Sequence, residues 1–129
     1  MLLIDSSALV RFFSKEQGWE TAAEFVASSS TISLALAELG SALLKKIIKN
    51  EVKPETASRL LGGYSASAVL VDQNTHLVLA LGIAASGKSS IYDSLFIATA
   101  LEGGYDLVSC DRRQAEVAEE LGVKVIRLG

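Results

Sequence analysis

The sequence predicts an α/β protein in three layers, with a five-stranded parallel sheet covered on both faces by helices. Two observations predict it. Five short apolar runs alternate with stretches of helical periodicity, the pattern of a parallel sheet wound with crossover helices. The runs show little polar alternation, so they read as strands buried on both faces. At 129 residues and 50% apolar content the chain suits one domain with a core of its own.

Met1–Asp5 is the first strand, an apolar run ending in an acid. A helix follows with Leu9, Phe12 and Phe13 on its apolar side, and Gly18 breaks it. Trp19–Ala27 is a second amphipathic helix, with Ala22, Ala23 and Val26 on one face. Ser28–Ser30 is a loop, and Thr31–Leu34 the second strand. A long helix from about residue 35 to 50 places Leu36, Leu39, Gly40, Leu43 and Ile47 on its core face, with Lys45, Lys46 and Lys49 turned away. Lys53-Pro54-Glu55 opens the next helix, because proline in the first turn gives up no hydrogen bond. Val69–Val71 is the third strand. Asp72–Thr75 caps a helix over 76–86 that Gly87 ends.

Asp93 to Glu102 is a nearly all-apolar helix stopped by Gly103-Gly104, and the fourth strand ends at Asp111. The helix descends roughly 15 Å and the strand climbs back roughly 16 Å, so Asp93 and Asp111 return to one edge. Arg112–Leu121 is the last helix, Gly122 its stop, and Lys124–Leu128 the fifth strand.

The single cysteine, Cys110, has no partner within the chain, and there is no Cys/His cluster for structural zinc. This pattern and the absence of a signal-like start predict a cytoplasmic protein. No apolar run reaches membrane-spanning length. A net charge of −3 argues against a nucleic-acid binder relying on a globally basic surface, but not against a nuclease whose acids are offset by bound cations.

Ligands of open parallel sheets bind beyond the carboxyl ends of the strands, and four acids reach that edge. Asp5 ends strand one and Asp111 strand four. Glu38 lies about one turn into the helix after strand two, and Asp93 opens the helix before strand four. Singly, Asp5 and Asp111 also read as helix N-caps, Asp111-Arg-Arg-Gln114 having capping-box spacing, and Asp93 as a first-turn acid. Glu38 has no i+4 cation, since position 42 is alanine. Four carboxylates within about 4–6 Å of their neighbours repel one another. A hard divalent cation, Mg²⁺ or Mn²⁺, relieves that repulsion and leaves room for a phosphate.

Ile4-Asp5-Ser6-Ser7-Ala8-Leu9, Leu36-Ala37-Glu38-Leu39, Tyr92-Asp93-Ser94-Leu95-Phe96-Ile97-Ala98 and Leu107-Val108-Ser109-Cys110-Asp111 together resemble the four motifs of PIN-domain ribonucleases, VapC-type toxins above all. The resemblance spans essentially the whole chain. It implies a single PIN-like domain over 1–129, a metal-dependent endoribonuclease cutting RNA phosphodiester bonds, a homodimer and a small antitoxin partner. It carries the acidic quartet over to Asp5, Glu38, Asp93 and Asp111, as metal ligands and catalytic residues. Ser7 falls where the family keeps a small hydroxyl residue, and Ser109 where threonine is commoner. Metal-activated water would leave a 5′-phosphate and a 3′-hydroxyl.

Arg11, Lys88, Arg112 and Arg113 adjoin the motifs and are the candidates for phosphate contacts. His76 reads as a surface residue, Cys110 as core rather than nucleophile, and Tyr92 and Phe96 as core rather than base-stacking. Two rival readings remain. One is a catalytically silent PIN-fold module that binds a protein. The other is a phosphoacceptor or phosphatase on a doubly wound sheet, which the serine at position 7 disfavours because an aspartyl phosphatase places a second acid there.

Overall fold

The computed structural model describes residues 1–129. Strand β1 (Leu2–Ile4) leads into α1 (Ser6–Phe13) and α2 (Trp19–Val26). Strand β2 (Thr31–Ile32) leads into α3 (Ser33–Ile48), α4 (Pro54–Ser67) and strand β3 (Leu70–Val71). A 3₁₀ turn over Asn74–His76 precedes α5 (Leu77–Ala85) and α6 (Ile91–Gly103), and strand β4 (Asp106–Ser109), α7 (Arg112–Glu120) and β5 (Val125–Arg127) close the chain. This is the α/β architecture the alternation of runs predicts.

All strand pairings are parallel. The sheet is hydrogen-bonded in two pieces, β1-β4-β5 and β2-β3, rather than as one five-stranded ladder. A bridge joins the pieces: the Ile4 N–H donates to the Ser30 carbonyl at 2.8 Å and the Ser30 N–H to Leu2 at 2.9 Å. One residue on, the Thr31 N–H pairs with Val69 of the β3 side instead. Its hydroxyl, 2.7 Å from the Ile4 carbonyl, stands in for the missing ladder bond. The spatial sequence is therefore β3-β2-β1-β4-β5, and the winding reverses between β1 and β4.

The helices pack in two groups, α1 with α2 and α3 and α3 with α4, then α5 with α6 and α6 with α7. Right-handed crossovers put the groups on opposite faces. Between them lie Leu3, Ile4, Leu107 and Val108, all without solvent exposure. The central helix is α6, buried without a break from Ser94 to Ala100, so its mostly apolar sequence follows from its place. It begins two residues before the expected start. Ser90 is its N-cap, and Asp93 sits in the first turn with its N–H on the Ser90 hydroxyl at 3.1 Å. It ends at Gly103-Gly104 for two reasons. A Cβ on Gly103 would lie 2.5 Å from the Tyr105 ring, and Gly104 has φ +73°, a conformation that costs glycine little.

One side-chain expectation changes, that for Tyr92, and one exposed face is new. The outer face of α5 is open, with Val78 85% and Leu81 63% exposed, because α6 covers only one side of this uncharged helix. Tyr92 is 61% exposed rather than core, whereas Phe96 is buried as expected. Leu9 is fully buried, and Phe12, Phe13 and Phe25 pack against the core. No helix is long and apolar enough to cross a membrane.

Candidate active site

The carboxyl ends of β1 and β4 lie side by side in register, Ile4 opposite Val108, and the chain turns from each strand directly into a helix. Asp5 and Asp111 are the residues at those turns. Each is the N-cap of its helix: Asp5 Oδ1 accepts the Ala8 N–H at 3.1 Å, and Asp111 Oδ1 the Gln114 N–H at 3.1 Å. The capping reading is thus correct for both, and it fixes where their carboxylates stand. The free oxygen of a capping carboxylate remains available to other partners.

Asp5 is buried, and burial pushes its carboxyl up to about 6. The hydroxyls of Ser109 and Ser7 and the Ala8 N–H pull the other way, and the charge of Asp111 raises it further. The Ser7 hydroxyl donates to Asp5 Oδ1 at 2.6 Å and accepts the Cys110 N–H at 2.9 Å. Ser109 lies 3.4 Å from Ser7, and its oxygen accepts the Asp111 N–H at 3.0 Å. Both serines expected beside the site therefore tie the two turns together.

Glu38, from the second turn of α3, accepts the Ser6 hydroxyl at 2.9 Å. Partial burial raises its carboxyl, and the charge of Asp93 adds to this. Asp93 is raised by burial and then by the charge of Asp111. Asp5 thus feels Asp111, Asp111 acts on Asp93, and Asp93 acts on Glu38, so the four acids form one chain of mutual repulsion at this edge. None of them takes part in an ion pair. Glu38 and Asp111 both line an open cleft of about 380 Å³ with Ser6, Ser7 and Arg11.

The acids do not stand in a closed ligand shell: no three His, Cys, Asp or Glu side chains are already arranged to hold a metal ion. Two of the four, Asp5 and Asp111, are oriented by their capping bonds. The donor set nevertheless fits a hard divalent cation. It is all carboxylate and hydroxyl oxygen, carries unneutralised charge, and opens to solvent on one side.

The expected phosphate contacts are placed differently from one another. Arg11 lines the cleft and donates to the Leu128 carbonyl at 3.2 Å. Lys88 pairs with Glu120 at 2.7 Å and Arg112 with Glu116 at 3.1 Å. Arg113 donates to the Lys88 carbonyl at 3.0 Å. His76 pairs with Glu102 away from the acids. Burial raises the Cys110 thiol, against the pull of Arg11, which suits a resting thiol better than a nucleophile.

Two residues of the site escape a reading of the sequence, and a third is read for the wrong partner. Ser6 holds Glu38, Ser90 holds the backbone of Asp93, and the buried Gln114 donates from Nε2 to the Asp93 carbonyl at 3.1 Å. Capping-box spacing picked out Gln114, but its side chain bonds α6 rather than the backbone of Asp111. Only that spacing gave a signal; the other contacts join residues distant in sequence or hydroxyls indistinguishable from any loop serine.

Comparison with known proteins identifies the family. The PIN domain family model matches residues 2–120, nearly the whole chain. Among solved structures, the crystal structure of PAE2754 from Pyrobaculum aerophilum superposes with a TM-score of 0.74 at 24% identity, covering 96% of this chain and 82% of that one. At that identity the likeness speaks for the fold. No curated protein matches the chain.

Proposed function

The chain belongs to the PIN domain family, generally a nuclease fold, and from that premise we propose that it is a Mg²⁺- or Mn²⁺-dependent endoribonuclease. The observation that carries the reading is the meeting of Asp5 and Asp111 at the adjoining ends of β1 and β4, with Glu38 bonded to α1 through Ser6 and the backbone of Asp93 to α7 through Gln114, none of the four acids in an ion pair. Asp5, Glu38, Asp93 and Asp111 are the residues that would hold the ion. When bound, a hard divalent cation supplies Lewis-acid activation of water and offsets charge on the phosphate.

The chain's own residues do the rest. Ser7 and the Ala8 N–H orient Asp5, and Ser6 orients Glu38. Gln114 fixes the backbone of α6 at Asp93, which keeps the outer wall of the site in register with α7. Asp93 and Asp111 are the exposed acids of the rim, and one of them takes up the proton released by the attacking water. The cleft is open, so an extended single strand enters it without unfolding the protein.

The finer reading is the toxin of a VapBC-type pair, a cytoplasmic homodimer held in check by a small antitoxin. The four motifs of the sequence support it. The uncharged outer face of α5 supports self-association, because Val78, Leu81, Gly82 and Ala85 form one exposed stripe with the spacing of a helix–helix contact. A catalytically silent binding module would have no need of four unpaired acids.

The deciding experiment titrates Mg²⁺ and Mn²⁺ against cleavage of a fluorescent oligoribonucleotide, with Asp93→Asn alongside. Metal-dependent cutting that the variant lacks is the expected result. Equal cutting by the variant would point to a contaminating nuclease and remove the reading. Intact-mass measurement after incubation with a small phosphodonor tests the phosphoacceptor alternative, and no added phosphate is expected.

A further inference from the structure

A second cleft, of about 330 Å³, lies on the other side of Asp111 from Glu38. Its wall includes Arg11, Arg112 and Arg127, and Asp111 is the only acidic side chain lining it. It adjoins the acidic cleft, because Arg11, Cys110 and Asp111 line both. The two neighbouring clefts differ in charge, one carrying Glu16 and Glu38 and the other Arg112 and Arg127.

Arg11 is the pivot. It makes no ion pair, unlike Arg112 with Glu116 and Arg127 with Glu119. One terminal nitrogen donates to the Leu128 carbonyl at 3.2 Å. The same nitrogen, Nη1, is the one nearest to Gly18. So one edge of the guanidinium is anchored, with most of its five N–H groups still unsatisfied by protein. A planar fork of this kind fits a phosphate better than a point charge does.

We propose that this arginine-lined cleft is a subsite for the backbone phosphate next to the one that is cut, with Arg11 as its anchor and Arg127 and Arg112 at its mouth. The assignment rests on the nuclease reading for its substrate class. It explains how a chain of net charge −3 draws a polyanion to an acidic edge. The scissile phosphate is received by the acids and their cation, and the adjoining one by Arg11. Arg127, in the last strand, belongs to no motif and carries no signal in the sequence.

The test measures binding of a fluorescent single-stranded RNA decamer by anisotropy in Mg²⁺, with the full chain carrying Asp93→Asn so that the probe stays intact. Adding Arg11→Gln should weaken binding about tenfold, the effect of losing a charge-assisted contact. It should also reduce the slope of log K against log salt by about 0.7, the single-strand value for one phosphate. Arg11→Lys should recover the salt slope but only part of the affinity. Arg127→Gln, on the exposed mouth where folding is not at risk, should give a smaller loss in the same direction. Unchanged affinity and slope in folded Arg11→Gln and Arg127→Gln would overturn the subsite. Binding that depends on Arg11 together with no cleavage by the unmutated protein in Mg²⁺ or Mn²⁺ would retain the subsite and refute the nuclease reading.

Discussion

The Ser7 hydroxyl donates to Asp5 across 2.6 Å and accepts the N–H of Cys110 across 2.9 Å. One oxygen thereby couples the first helix turn to the last strand of the site, and its orientation is determined, since the accepted N–H leaves the hydroxyl proton for Asp5. Ser7→Ala would strand a half-buried N–H and remove a donor from a buried carboxylate. A loss of about 1–3 kcal/mol in urea unfolding is expected, together with cleavage reduced at least tenfold. A variant equal to the parent in both would show the contact to be incidental.

Asp5 makes stability depend on pH in a stated direction. Burial pushes the folded carboxyl up to about 6 from the ordinary 3.8, so between those values the native state holds a proton that the unfolded chain has released. Stability is therefore highest below about pH 4 for this group and falls as pH rises through 6, by up to about 3 kcal/mol. Glu38 and Asp93, also raised, act with the same sign. Asp5→Asn should flatten the profile measured by urea unfolding in EDTA between pH 4.5 and 8. Parallel profiles for the two proteins would contradict the burial argument.

Added Mg²⁺ should reverse that loss. A cation that binds only the folded acids raises Tm in proportion to the logarithm of its concentration above Kd. The rise is expected for the parent at pH 7.5 and should be much smaller for Asp5→Asn or Glu38→Gln. Thermal scans across a Mg²⁺ series provide the check.

Substitution at Asp111 should separate two roles. Asn retains an oxygen for the Gln114 N–H, whereas Ala removes the cap and costs about 1 kcal/mol more. Both variants should fail to cut RNA, and only Asp111→Ala should show the lower urea midpoint. Cleavage by the Asn variant at the parent rate would remove Asp111 from the site.

Gly103→Ala tests the helix stop behind the site. Its Cβ would collide with the Tyr105 ring, 2.5 Å away at Cε2, and the ring must turn aside. A destabilisation of about 1–3 kcal/mol is expected, measured by urea denaturation. No change would mean that the ring moves freely.

Much of this molecule could be read along the chain because the signals are local. Gly87, Gly103-Gly104 and Gly122 stop helices, whereas Gly18 opens α2 and α1 has already ended at Phe13; the strand–acid–helix junctions at Asp5 and Asp111 announce both the edge and the caps. What stayed hidden depends on partners far away in sequence. The Thr31 hydroxyl reaches Ile4, dividing the sheet. Ser6 reaches Glu38, Gln114 reaches Asp93, and Arg127 joins Arg11 only once β5 is in place. The open face of α5 was hidden for the opposite reason: its composition promises burial, and only packing shows that α6 covers one side.

Two of the acids also hold a helix end each, and this limits how such a protein can decay. A descendant released from selection for hydrolysis could drop Glu38 or Asp93 at little structural cost. At positions 5 and 111 it would drift toward asparagine, serine or threonine, because those side chains still cap. The resulting relic would keep its shape, and its former chemistry would be legible in a polar residue at each of two vacated corners.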